Sequence, residues 1–100
     1  MKIPQNSIDK FLEVLEFFDT ERVAKVMAML DWKWGMSDGE LAVPSEKEII
    51  SQIMKMFTRL VANNLTMVST GGLQVGYNKQ TGFYIEFVIT SACESDLGDV

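Results

Sequence analysis

The chain has 100 residues, 47% of them hydrophobic and 23% charged, with a formal net charge of −5. That length makes a single domain, and that balance lies outside the corner of low hydrophobicity and high charge in which chains stay disordered. Nine Lys and Arg residues with no cluster among them are too few to bind nucleic acid by phosphate neutralisation, and no apolar run is long enough to span a bilayer.

The opening Met1-Lys2-Ile3-Pro4-Gln5-Asn6 has no apolar secretory core, and Cys93 is the one cysteine, with no internal partner. Both predict an intracellular, reducing setting. Ser7 to Phe18 predicts a helix capped by Ser7, with Asp9 in its first turn and Ile8, Phe11, Leu12, Leu15 and Phe18 on one stripe. Asp19-Thr20 breaks it and caps a second helix running to about Leu30, with Val23, Val26, Met27 and Leu30 as its apolar face. One long kinked helix is the alternative.

Asp31 to Met36 then alternates, with Trp32, Trp34 and Met36 on one side. That predicts a strand with one buried face, joined to the sheet made by the last three strands. Ser37-Asp38-Gly39-Glu40 is a turn, and Leu41 to Val43 is a short return strand or an extended lead-in. Ser45 with Glu48 three residues later forms a capping box. The helix that follows presents Ile49, Ile50, Ile53, Met54, Met56, Phe57, Leu60 and Val61 on a wide apolar face and stops at Asn63-Asn64.

Leu65 to Ser69 predicts a strand, and Gly71-Gly72 a turn or a close backbone approach. Leu73 to Tyr77 and Phe83 to Thr90 form a hairpin around Asn78-Lys79-Gln80-Thr81-Gly82. The last strand is also a candidate edge for pairing with a second copy in a homodimer. Residues 1–92 make one domain and residues 93–100 a loose acidic tail. The fold class is α+β: two N-terminal helices and one central amphipathic helix on one face of a mainly antiparallel sheet of three to five strands.

Catalytic constellations fall by elimination. With no histidine there is no Ser-His or Cys-His pair, and a lone cysteine builds no thiolate zinc site. No GxxxxGK[ST] or GxGxxG is present, and the carboxylates do not fall at calcium-loop spacing. The expectation is a non-enzyme with no catalytic residue, no metal and no cofactor.

Several residues admit two readings. Trp32 and Trp34 form an aromatic platform for a nucleotide ligand, or they fill the core. Gly71 and Gly72 form a nest of N–H groups for phosphate, or they are a strand connection; no helix follows, which favours the connection. Among the seven methionines, Met27, Met29, Met54 and Met56 form an adaptable binding surface or fill core gaps, and Met29 and Met56, toward the edges of their stripes, are the better candidates for exposure. The carboxylates mimic DNA phosphates or cover a solvated face, and Cys93 without a neighbouring base is inert.

Phe18-Asp19-Thr20-Glu21-Arg22-Val23-Ala24-Lys25-Val26-Met27, then Leu30-Asp31-Trp32-Lys33-Trp34, then Val43-Pro44-Ser45, then Ser69-Thr70-Gly71-Gly72 and the closing hairpin stand in a specific order and spacing. In these the chain resembles a family of small accessory proteins of tailed bacteriophages and prophages, over about residues 8 to 90. The resemblance implies a phage gene acting in the bacterial cytoplasm, and it carries no catalytic motif. Small acidic phage proteins of this class often bind and block a host protein, a nuclease or CRISPR effector with a basic channel. The expected function is therefore anti-defence inhibition by protein binding, without direct nucleic-acid or membrane contact. The expected partner-binding set is Asp38, Glu40, Glu46 and Glu48. The alternatives are sequestration of a nucleotide signal by Trp32, Trp34, Gly71 and Gly72, and an accessory role in phage DNA metabolism.

Overall fold

The computed structural model describes residues 3–36 and 38–89. The expectations for Ser37, Thr90, Cys93 and the 93–100 tail lie outside the described residues. The chain is an α+β domain of helices packed with two small antiparallel sheets.

The predicted helix over residues 7–18 is two pieces, α1 (Gln5–Asp9) and α2 (Phe11–Phe17). Pro4, not Ser7, is the N-cap, its backbone already extended at φ −62 and ψ 143. Asp9 therefore ends a helix instead of opening one. The break at Lys10 (φ −91, ψ −1) turns Phe11 inward. Phe11 is buried and stacks on Phe57 with ring centroids 3.9 Å apart, while Phe83 meets both rings edge-on. Leu12, assigned to the same stripe, is left exposed.

Asp19 caps α3 (Thr20–Met29), its Oδ1 accepting from the Arg22 N–H at 3.0 Å. Val23 and Met27 are buried, but Leu30 is exposed because the helix has already ended. Asp31 takes the left-handed conformation at φ +52. The Trp32 N–H then donates to the Met27 carbonyl at 2.8 Å and the Asp31 N–H to that of Ala28. This is a Schellman ending, which satisfies carbonyls the helix leaves orphaned. Asp31 thus closes a helix instead of opening a strand.

The strand there is short. β1 (Trp34–Gly35) pairs only with β2 (Leu41–Ala42), as a separate two-stranded sheet. It does not join the last three strands as the alternation predicts; its link to them is through tryptophan side chains.

α4 (Glu46–Ala62) opens on the predicted capping box. The Glu48 N–H donates to Ser45 Oγ, and the Ser45 N–H donates to Glu48 Oε1 at 2.7 Å. Ile49, Ile53, Met56 and Leu60 are fully buried. Met56 sits in the middle of that stripe, three residues after Ile53 and four before Leu60, so its predicted exposure is wrong; Met29, at 82% exposure, is as expected. α4 ends as α3 does, with Asn64 at φ +52 and the Leu65 N–H returning to the Leu60 carbonyl.

β3 (Met67–Thr70), β4 (Leu73–Asn78) and β5 (Gly82–Phe87) make an antiparallel meander in that order. Gly71 (φ +58) and Gly72 (φ +92) form a two-residue loop with Thr70 opposite Leu73. Positive φ at both positions matches the right-handed twist of the hairpin. Leu73, Val75, Tyr77 and Phe83 turn to the core. α4 covers β3 and β4, α2 covers β5, and α3 lies against α4.

Candidate functional site

The four residues predicted for a nucleotide ligand do come together, but against one another. Trp34 Nε1–H donates to the Gly71 carbonyl at 3.1 Å. A Cβ on Gly72 would lie 2.7 Å from Trp32 Cζ2 and 3.0 Å from the Phe87 ring, and one on Gly71 would run into the Trp34 indole. Trp32 and Phe87 pack with centroids 5.2 Å apart. Both tryptophans are half-buried, and the faces they turn to the glycines are occupied by that turn. The Gly-Gly turn is therefore both a hairpin loop and a close backbone approach, and it seats the small sheet on the large one.

The predicted acidic set divides between two elements. Asp38 and Glu40 lie in the β1–β2 turn, where Asp38 Oδ1 accepts from the Glu40 N–H at 3.1 Å. Glu46 and Glu48 open α4. Glu48 is held in the capping box, and Glu46 Oε2 accepts from the Oγ1–H of the buried Thr20 at 2.7 Å. Three of the four carboxylates thus have local structural work, and Glu40 is the one whose side chain makes no hydrogen bond among the described residues.

Glu46 also belongs to a surface absent from the predicted set. Around the α2–α3 joint, Glu16, Asp19, Glu21 and Glu46 line a shallow hollow of about 420 Å³. Beside it runs a groove of about 340 Å³, walled by Val23, Val26, Phe87 and Ile89 with Arg22 on its edge. Phe17, Phe18 and Asp19 line both. Phe17 is 89% exposed and Ile89 52%. Burying a Phe side chain is worth about 1.5–3 kcal/mol, so this ring represents stabilisation that the isolated domain leaves unused. The carboxylates around it are little neutralised: the pair nearest by sequence, Lys25 with Glu21 at 3.5 Å, is solvent-exposed. The signal in the sequence was the Phe17-Phe18 doublet: Phe18 continues the apolar stripe and Phe17 stands one position off it.

Among the described residues no group of three or more His, Cys, Asp or Glu side chains is placed to hold a metal, and no helix is long and apolar enough to cross a membrane. No family model, curated protein or solved structure matches the chain.

Proposed function

We propose that this is a non-enzymatic binding protein of phage type, which docks on a basic surface of a host protein and blocks it. The target class is a defence complex, a CRISPR effector or nuclease with a cationic channel. The phage setting rests on the sequence resemblance. The binding mode rests on one observation: a nearly fully exposed Phe17 set between an acidic hollow and an apolar groove. An aromatic anchor with a charged rim is the arrangement of an interface hot spot, and net negative charge draws the chain toward a cationic partner.

The test is capture of a stoichiometric partner from bacterial lysate, followed by affinity measurement with the purified pair. Phe17→Ala is expected to leave the melting temperature unchanged and to weaken binding by roughly tenfold or more. Unchanged affinity of Phe17→Ala for the captured partner overturns this docking surface, and failure to capture any partner overturns the inhibitor reading.

A further inference from the structure

At the other end of α2 and β5 lies a cavity of a different character. It is a half-open pocket of about 260 Å³ between the α1–α2 joint and the β4–β5 loop. Its polar lining includes Lys10, Lys79, Ser7 and Thr81, and its apolar lining includes Val14 and Phe83. No carboxylate lines it. Among the described residues neither lysine has a carboxylate oxygen within 4.0 Å; the two ion pairs present are Lys25–Glu21 and Lys33–Asp31.

In a chain of net charge −5, this concavity brings together two lysines from distant parts of the sequence with no carboxylate on its lining. A lining of that charge favours an anion. The backbone on both sides is held in place. Asn78 Oδ1 accepts from the Gln80 and Thr81 N–H groups, and Asn78 pairs with Gly82 across the loop. Lys10 is fixed at the helix joint, its N–H donating to the Ser7 carbonyl and its carbonyl accepting from Glu13 and Val14. With the backbone held, only side chains are left to order on binding, which limits its entropic cost.

We infer that this cavity binds a small organic phosphomonoester, its phosphate between Lys10 and Lys79 and its organic part against Val14 and Phe83. The hydroxyls of Ser7 and Thr81 supply further donors to phosphate oxygens. This site is independent of the docking surface at Phe17, which lies past the far end of β5.

The experiment is titration of the full chain with phenyl phosphate, followed by calorimetry and by backbone amide shifts. Expected is saturable binding with a dissociation constant below ~1 mM, with shifts at residues 79–83 and around Lys10. Lys10→Gln and Lys79→Gln should each weaken it about tenfold, the worth of one charge-assisted contact. Lys33→Gln, outside the cavity, should leave it unchanged. Phenol should not bind, and inorganic phosphate should bind more weakly than phenyl phosphate. Absence of saturable binding, or equal binding by all three variants, overturns the site. Equal affinity for inorganic phosphate overturns its organic half.

Discussion

Gly71 and Trp34 meet at a single point where backbone angle, packing and a hydrogen bond coincide. Alanine at Gly71 would meet two penalties: a left-handed φ of +58 and a Cβ driven into the Trp34 indole. The first costs about 1–2 kcal/mol and the second about 1–3 kcal/mol. Gly71→Ala should therefore lower stability by roughly 2–5 kcal/mol in urea unfolding. The two parts separate in a double-mutant cycle. In a Trp34→Ala background the clash is gone and only the backbone penalty remains, so Gly71→Ala should cost about 1–2 kcal/mol there. Additive effects would show that the indole yields freely and that the small sheet is only loosely seated.

Helix ends account for most of the distance between sequence and structure at the scale of elements. The capping box at Ser45 and Glu48 was legible because it is a local device whose residue types admit one geometry, whereas Gly71-Gly72 was legible only as a glycine turn open to several uses. Asp31 was not legible. Its place in an Asp-Trp-Lys-Trp alternation reads as a strand, yet the left-handed turn it makes is a helix ending, and only the tertiary placement of Trp32 over Gly72 selects it. The split at Lys10 is similar, since a stripe of period 3.6 runs through it and the demand to stack Phe11 on Phe57 breaks it. The proposed docking surface was hidden for a related reason: it forms where α2 stops and α3 starts, and no periodicity describes a joint. A prediction follows from the first case. Asp31→Gly removes the Cβ penalty at φ +52 and loses only an exposed pair with Lys33 at 3.8 Å. It should raise stability by about 0.5–2 kcal/mol in thermal or urea unfolding. A loss of stability would mean that the Asp31 side chain does more at this helix end than tolerate the turn.

Taken whole, the molecule is polarised along α2 and β5. The lysine cavity lies at their start, and the acidic hollow and apolar groove lie at their finish. Polarity of this kind orients a diffusing partner before contact, so charge and anchor should act on different rate constants. Glu16 is the carboxylate to reverse. Glu46 is unsuited, because its loss also strips the buried Thr20 hydroxyl of its acceptor, at about 1–3 kcal/mol. Glu48 is unsuited because it closes the capping box. With a captured partner on a biosensor, Glu16→Lys should slow association by several-fold at low salt and converge on the wild-type rate near 0.5 M salt, where charges more than a few ångströms apart are screened. Phe17→Ala should leave association almost unchanged and speed dissociation by about tenfold or more at every salt concentration. If both variants change the same rate constant, charge and aromatic ring are not separate parts of one docking surface, and the acidic hollow is only a solvated rim of the fold.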